Sequence, residues 1–405
     1  MHRSAKLLAL VLVVACDRGV KGPHGGVSQD PSADPSAEAT IAKHTLPNAG
    51  PEKGIAANAY ELPPLPADAH EIRVSSAAEI PMAYAKLRDG EADRLLFERG
   101  KVYEASLPNW DKSGKSPTER MVIGAYGVGD RPIFRVNGLW FSKPRKGTVK
   151  NLLISGIEVQ VAKPVGFIAR WIDGAENVTV QDSVFNGGWI VQHFAGQIPR
   201  NLRFLGDTFQ WAWAPNERVQ GIYGHNIHGL EIRNCTFDHN GWGPPGVKGA
   251  QATMFNHNIY LSGTIGPNAR DGEAYDGLRN VTIAHNLIAN SSSIGVKLSA
   301  LAERSVTDIH IEDNKFVHGE IGVSAGGNGT MANRFDDIHI VRNLFDDIGA
   351  TQPSGRAFAW GIDIQDWITG EVVGNRFNLP ANLRNKYSIQ VNKGSKDGIV
   401  MRDNQ

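Results

Sequence analysis

Short segments in which apolar and polar residues alternate recur along the chain from residue 151 onward. Each begins with Asn, Asp or Gly and then reads apolar, polar, apolar, as in Asn177-Val-Thr-Val180 and Asn280-Val-Thr-Ile283. Such alternation over four or five residues indicates a β-strand with one buried face. The same pattern predicts further strands that begin at Asn151, Asn201, Gly229, Asp308, Asp337 and Gly398.

Two other columns of residues repeat in step with these strands. Six residues after each start, the later segments carry Asn, and two residues beyond that position most segments carry Phe. The Asn column is Asn286, Asn314, Asn343, Asn375 and Asn404, preceded by Ile157, Ser183, Asp207 and Cys235 in the earlier segments. The apolar column is Phe185, Phe209, Phe237, Ile288, Phe316, Phe345 and Phe377.

One such strand cannot bury its apolar face alone, whereas coils stacked at ~4.8 Å bury it continuously and pair each strand with the next. A column of Asn then lets side-chain amides hydrogen-bond along the stack. A β-propeller would need four antiparallel strands in each repeat, which is not the pattern here. We therefore predict an all-β fold, a right-handed single-stranded parallel β-helix over residues 67–405. Residues 77–87 have the spacing of a short amphipathic helix that caps its N-terminal end.

The N-terminus predicts export and a lipid anchor. A basic start is followed by an apolar stretch, residues 7–15, which is too short to cross a bilayer, since that needs about 20 residues. It fits the apolar region of a secretory signal peptide over residues 1–16. Val13-Val-Ala-Cys16 resembles the lipobox of bacterial lipoproteins, in which the cysteine carries acyl chains. An ordinary signal peptide with an incidental cysteine is the alternative.

Residues 17–66 are rich in Pro, Ser, Ala and Gly and show no periodicity, so we predict a disordered linker there. The protein is then expected in the cell envelope, held at the outer membrane, at the cell surface or in the periplasm. The formal net charge of +0 gives no indication of nucleic-acid binding. If Cys16 is acylated, Cys235 has no cysteine left to pair with, and a structural disulfide is not expected. We expect a monomer.

The second strand of each coil carries the candidate chemistry. Because alternate residues point outward, aligning these strands places Tyr223, Tyr260 and Lys297 side by side on the outer face, with His225 one step along from Tyr223. The whole predicted column is Gln192, Tyr223, Tyr260, Lys297, Ser324, Asp363 and Gln390.

The interval between the strand starts at Gly229 and Asn280 spans 51 residues, against 28 for the next interval, and it encloses the Tyr260 strand. It holds two insertions, of which the first carries Asp238 and Trp242 and ends near His257. Long loops on a rigid scaffold are where binding and catalytic residues concentrate. We therefore expect Asp238, Trp242, Trp211, Asp363 and Gln192 to contact substrate, with the tryptophans stacking on sugar rings.

The repeats resemble those of the right-handed parallel β-helix proteins of the pectate-lyase-like superfamily, over most of residues 70–405. The resemblance implies a secreted polysaccharide-active protein that binds an acidic polysaccharide. Uronic-acid polymers are cleaved by removing the proton at C5, which needs a base, a group that neutralises the carboxylate and a proton donor. β-Helix lyases have a basic residue on the outward face, beside Tyr, Arg or His. The expected catalytic residues are Lys297 as base or neutraliser, Tyr260 as donor or base, Tyr223, and His225 or His257 as helper.

Other functions remain open at this stage. A glycoside hydrolase would need two carboxyl groups ~5–9.5 Å apart, such as Asp363 with Glu320 or Asp238. A uronan epimerase, or a surface lipoprotein that binds glycan or a partner without catalysis, would use the same face. We expect no cofactor and no metal, with a Ca²⁺ ion held by Asp271, Glu273 and Asp276 as the alternative.

Overall fold

The computed structural model describes residues 49–53, 60–144, 147–215, 217–243, 255–268, 270, 272–326, 332–350, 352, 358–381, 385–394 and 396–405. The predicted signal peptide, Cys16 and most of the predicted linker lie outside these residues. Within them, no helix has both the length and the apolar character needed to span a bilayer.

Three parallel sheets, here called sheets A, B and C, wind around one apolar core, which confirms the predicted parallel β-helix. From β4 to β32, within the described residues, each coil contributes one strand to sheet A, then one to sheet B and one to sheet C. Sheet A consists of β1 (Glu71–Val74), β2 (Arg94–Glu98), β4 (Met121–Tyr126), β7 (Val149–Ser155), β10 (Ala175–Gln181), β13 (Arg200–Leu205), β16 (His228–Arg233), β21 (Leu278–Ala284), β24 (Val306–Glu312), β27 (Phe335–Val341), β30 (Gly370–Val373) and β33 (Ile399–Arg402).

Sheet B consists of β3 (Val102–Tyr103), β5 (Ile133–Val136), β8 (Glu158–Val161), β11 (Val184–Asn186), β14 (Thr208–Gln210), β17 (Thr236–Asp238), β22 (Leu287–Ala289), β25 (Lys315–Val317), β28 (Leu344–Asp346) and β31 (Arg376–Asn378). Sheet C consists of β6 (Phe141–Ser142), β9 (Phe167–Ile172), β12 (Gly188–Gln192), β15 (Gln220–His225), β18 (His257–Gly263), β23 (Ile294–Ala300), β26 (Ile321–Ala325), β29 (Phe358–Gln365) and β32 (Asn385–Lys393). The hairpin β19 (Ile265–Gly266) and β20 (Tyr275–Asp276) is antiparallel.

The Asn column forms the predicted ladder at the turn from sheet A to sheet B. The Asn314 amide and backbone N–H both donate to Oδ1 of Asn343 at 3.0 Å, and Asn343 repeats the arrangement with Asn375. On the inner side, the rings of Phe345 and Phe377 stack with centroids 5.0 Å apart. The backbone conformation explains why Asn and Asp recur at the strand starts. Asn177 (φ 53), for example, adopts the left-handed conformation that Asn and Asp tolerate best. The other left-handed non-glycine starts are Asn151, Asn201, Asn280, Asp308 and Asp337.

A short helix closes the N-terminal end of the core, as predicted. A 3₁₀ turn, Ala77–Glu79, leads into helix α1, Ile80–Lys86. Ile80 and Ala83 are buried in the cluster that fills the solenoid. The helix thereby covers apolar surface that the first coil would otherwise expose.

The described parts of the predicted linker contact the solenoid instead of extending freely from it. Leu62 packs on Leu96, Val122 and Leu153, three outward apolar residues of successive sheet A strands. The Tyr60 carbonyl accepts a hydrogen bond from the side chain of Gln181 at 2.9 Å.

Further toward the N-terminus, the segment lies on later coils. Glu52 exchanges hydrogen bonds with Asn234, from its backbone N–H at 3.0 Å and to its carboxylate at 3.1 Å. The N–H of Gly50 donates to the carbonyl of Asp313 at 2.8 Å. Residues 49–53 and 60–65 therefore follow the corner between sheets A and B, away from sheet C.

Candidate functional site

A row of polar side chains runs up the outer face of sheet C where the sequence places it. Tyr223 pairs with Tyr260, and Tyr260 pairs with Lys297, on three successive strands. Their inward neighbours Ile222, Ile259 and Val296 are fully buried, so the row itself points outward. All three side chains in the row are half-buried.

The predicted position of Gln192 in this row is wrong by two residues. Ile190 pairs with Tyr223, whereas Gln192 pairs with His225. A shift of two keeps Gln192 on the outer face but moves it to the next column along the strand. Gln192 therefore lies beside His225 and not at the end of the Tyr–Lys row.

The Lys297 ammonium group is fixed by two acceptors on the next coil. Nζ donates to Oγ of Ser324 at 3.0 Å and to the carbonyl of Gly326 at 2.7 Å. The Ser324 hydroxyl in turn donates to Oδ2 of Asp363 at 2.8 Å. A cation with a fixed position at the end of such a chain is suited to hold a substrate carboxylate.

Asp363 does not fit the predicted role of a substrate contact. It is only 2% exposed, and its carboxylate accepts hydrogen bonds from Ser324, Gln365 and Asn392. With its oxygens occupied by these donors and its side chain buried, Asp363 holds its neighbours in place. Glu320 is equally buried at 2%, which does not favour the hydrolase that would pair these two carboxyl groups at an open site.

The buried His257 and the half-buried Tyr223 lie beside Tyr260 and have strongly shifted pKa values. The ring of His257 meets that of Tyr260 edge-on at 5.6 Å, and the rings of Tyr223 and Tyr260 are 5.5 Å apart. Burial, together with the cations of Lys297 and Arg218, lowers the pKa of His257 to about 3. Burial raises the pKa of Tyr223 to about 12. At neutral pH the imidazole is therefore neutral and the Tyr223 phenol is protonated.

His225 lies at the other end of the Tyr223 strand, in contact with Ser262. Its Nδ1 is 2.9 Å from Oγ of Ser262. Burial and the neighbouring His193 lower the pKa of His225 to about 4. Tyr275, from the second insertion, packs its ring 5.2 Å from His193 and 6.4 Å from His225. The insertion thus borders this end of the row, as the sequence predicts.

Asp238, Trp211 and Trp242 come together at the turn between sheets B and C. The rings of Trp211 and His239 stack at 4.3 Å, and Asp238 binds His239 Nδ1 at 2.8 Å. The indole N–H of Trp242 donates to the carbonyl of Asn290 at 2.9 Å. These three predicted contacts form a separate cluster at this turn, which precedes the strands that carry Tyr223 and Tyr260.

The acidic residues of the second insertion are paired with arginines. Glu273 forms an ion pair with Arg200 and accepts the backbone N–H of Ile198 at 2.9 Å. Asp276 is bonded to Arg279 at 2.8 Å, and Asp271 lies outside the described residues. In the part of the chain that the structure covers, no group of three or more His, Cys, Asp or Glu is arranged to hold a metal.

No protein-family model matches the sequence, and no curated protein matches it. Among solved structures, a lacto-N-biosidase of family GH136 from Eubacterium ramulus is 13% identical, with a TM-score of 0.39 over 83% of this chain and 67% of that chain. A rhamnogalacturonan lyase is also 13% identical, with a TM-score of 0.41 over 83% and 87% of the two chains. The tailspike gp49 of Acinetobacter baumannii bacteriophage Fri1, a capsular polysaccharide depolymerase, is 10% identical, with a TM-score of 0.43 over 84% and 59%. These likenesses concern the parallel β-helix fold and do not identify an activity.

Several residues of the site escape sequence reasoning. Arg218 lies near His257 and places its guanidinium 4.6 Å from the ring centroid of Phe255. It comes from the loop before β15, which carries no repeat pattern. Ser262 and Ser324, by contrast, occupy outward positions of the aligned strands. Their columns are visible in the sequence, but a serine has no feature that separates a site residue from surface.

Proposed function

We propose that this protein is a polysaccharide lyase that cleaves a uronic-acid-containing glycan by β-elimination on the outer face of sheet C. The observation that carries the proposal is the row of Tyr223, Tyr260 and Lys297 on adjacent strands. It brings a fixed cation and two phenols within reach of one sugar residue. Two neutral histidines, the buried His257 and the half-buried His225, flank the row.

In this proposal Lys297 neutralises the substrate carboxylate. Charge neutralisation stabilises the anion that forms when C5 loses its proton. Lys297 suits this role because hydrogen bonds to Ser324 and to Gly326 fix the position of its ammonium group. Its strand also pairs with the Tyr260 strand, with Lys297 directly beside Tyr260.

Tyr260 removes the C5 proton, and the electron pair of the C–H bond forms the C4=C5 double bond. The bond between C4 and the glycosidic oxygen then breaks, and that oxygen takes a proton from Tyr223. Tyr223 suits the acid role because burial keeps its phenol protonated, with a pKa of about 12. Since the two tyrosines are neighbours on one wall, proton removal and proton donation occur on the same side of the sugar ring.

The test is a screen of the purified protein against alginate, pectate, chondroitin and heparin-type chains. Elimination gives an unsaturated product, so ultraviolet absorbance should rise as the chain length falls. Reducing ends without this absorbance would indicate a hydrolase instead. Retention of polymer without any cleavage would indicate a glycan-binding protein.

We also propose that the protein is anchored in the cell envelope through acylated Cys16. The proposal is supported by the sequence around Cys16, where an apolar stretch ends in a small residue followed by cysteine. Metabolic labelling with a fatty-acid analogue should mark the wild-type protein and leave Cys16→Ser unlabelled. Equal labelling of both proteins would overturn the proposal.

A further inference from the structure

On the two strands of sheet C that follow the Lys297 strand, the same outward column carries a buried chain of hydrogen bonds. Lys297 pairs with Ser324, and Ser324 pairs with Asp363, on three successive strands. Ser324 is 1% exposed and Asp363 is 2% exposed. Neither side chain is open to a polymer lying on the surface, although both lie in the same column as the candidate catalytic residues.

The direction of each hydrogen bond in this chain is determined by chemistry. A hydroxyl has one proton, and that of Ser324 is donated to Oδ2 of Asp363 at 2.8 Å. Its oxygen is then left to accept a proton from Nζ of Lys297, at 3.0 Å. The carbonyl of Gly326, 2.7 Å from the same Nζ, can only accept as well. The chain therefore holds Lys297 as a donor with a defined orientation.

Asp363 is itself held from two further sides. Oδ2 also accepts from Nε2 of Gln365 at 2.9 Å, and Oδ1 accepts from the amide of Asn392 on the next strand. These donors support a carboxylate, since an ionised acid accepts at both oxygens. A buried negative charge one hydroxyl away from Nζ complements the positive charge of Lys297.

We propose that Ser324 and Asp363 are positioning residues for the proposed elimination, which hold the Lys297 ammonium group charged and aimed at the substrate carboxylate. This inference rests on the proposed function of the Tyr–Lys row. It assigns a purpose to two buried polar residues that do not themselves touch the polymer. Among the described residues, the titratable groups near Lys297 include Tyr260 and His257 on the preceding strand and Asp363 beyond Ser324.

The test uses Ser324→Ala and Asp363→Asn in the full chain. Asp363→Asn keeps much of the side chain's shape but removes its charge, so the alkaline limb of the rate-against-pH profile should move to lower pH. Ser324→Ala removes the link and should lower kcat by about 10²-fold with a smaller change in KM, as expected when a catalytic group is misplaced. An unchanged kcat and profile in both variants would overturn the proposal.

Matched controls separate positioning from general loss of structure. Ser155→Ala removes a similarly buried serine on sheet A, and Asp313→Asn removes the charge of a buried aspartate bonded to Arg342. Both should leave kcat and the pH profile unchanged at equal thermal stability. If they reproduced the effects of the sheet C variants, those effects would be structural and the proposal would fail.

A second measurement does not depend on activity. NMR of protein carrying isotope-labelled lysine, with the Lys297 signal assigned from Lys297→Gln, follows the titration of this one side chain. Its midpoint should fall in Asp363→Asn but not in Asp313→Asn. If it falls while no polymer is cleaved, the positioning chain stands and the proposed lyase function fails. If polymer is cleaved while the midpoint stays unchanged, the chain has no such role.

Discussion

The imidazole of His257 meets the ring of Tyr260 edge-on, with centroids 5.6 Å apart and planes at 88°. Both residues belong to β18, the strand that follows the first insertion. His257 is 6% exposed, and its Nδ1 has no hydrogen-bond partner in the described structure. The neutral imidazole therefore packs directly against the ring of the proposed base.

Replacing Tyr260 by Phe should lower kcat by about 10²–10⁴-fold, the range for loss of a general base or acid. The ring and its packing on Tyr223 and His257 are kept, so the variant should still fold. The measurement is the rate of rise in ultraviolet absorbance on the cleaved polymer. Tyr387→Phe, at a 46% exposed position of sheet C, is the control and should keep full activity. Full activity of Tyr260→Phe would rule out the assigned role.

Replacing Lys297 by Ala should lower kcat/KM by about 10²–10³-fold, because one preorganised charge that stabilises the transition state is lost. Lys297→Arg keeps the charge and should retain part of the activity. The control is Lys315→Ala, which removes a lysine from the outer face of sheet B and should leave turnover unchanged. If Lys297→Ala cleaves polymer at the wild-type rate, the proposed active site is wrong.

The buried histidines predict a loss of stability in acid. An unfolded histidine binds its proton near pH ~6.5, whereas burial and the neighbouring cations lower the pKa of folded His257 to about 3. Between these values the unfolded state holds more protons, so the free energy of unfolding falls as pH falls, by up to ~1.4 kcal/mol per pH unit. His257→Asn should weaken this dependence in denaturant titrations at about pH 7 and about pH 5.

His339 on sheet A provides a control of opposite sign. Burial opposes its charge, but the hydrogen bonds to Glu371 and Asp337 prevail and raise the pKa of His339. Its protonated form is therefore stabilised by folding, and that stability is present in acid and lost as pH rises through the folded pKa. His339→Asn should steepen the loss of stability in acid. The same response from both variants would contradict the assigned protonation states.

The segment before the first coil should contribute measurably to stability. Leu62 covers the outward side chains of Leu96, Val122 and Leu153, each of which is at most 5% exposed. Leu62→Ala should lower the free energy of unfolding by about 1–2 kcal/mol, since part of a leucine and of the surface below it returns to water. Leu65→Ala, at a 43% exposed position, is the matched control and should change it by less than ~0.5 kcal/mol.

The row of Tyr223, Tyr260 and Lys297 was predictable because a period of two determines which side chains share a face. The same periodicity cannot distinguish registers that differ by two residues, and Gln192 is misplaced for that reason. The hydrogen bonds that occupy the Asp363 carboxylate come from Ser324, Gln365 and Asn392, on its own and neighbouring strands, which no local pattern reveals. The contact with Leu62 could have been predicted from one feature of the sequence, because Leu96, Val122 and Leu153 are apolar at outward positions.

The ladder itself contains a position that the later coils predict to be suboptimal. Asp207 occupies the column in which Asn286 and Asn314 follow, and it is 1% exposed. Its Oδ1 accepts the backbone N–H of Ser183 at 2.9 Å, whereas Oδ2 has no partner in the described structure. Burial raises the pKa of Asp207 well above its usual value. At neutral pH this carboxyl group is ionised in the unfolded chain, so burying it lowers the free energy of unfolding.

Asp207→Asn should therefore stabilise the protein at neutral pH. The new amide keeps the acceptor at Oδ1 and adds a donor, which in Asn286 and Asn314 reaches a backbone carbonyl of the preceding coil at 2.9 and 2.8 Å. The gain expected from one more buried hydrogen bond is about 1 kcal/mol. Because the folded aspartate has the higher pKa, a second part of the advantage should grow as pH rises through about 4, the unfolded value, and only the hydrogen-bond part should remain in stronger acid. Denaturant titrations at several pH values would show it, with Asn314→Asp as the reverse change that should destabilise. If Asp207→Asn were less stable than the wild type at neutral pH, the ladder would depend on the carboxyl group itself and not on the stacking of amides.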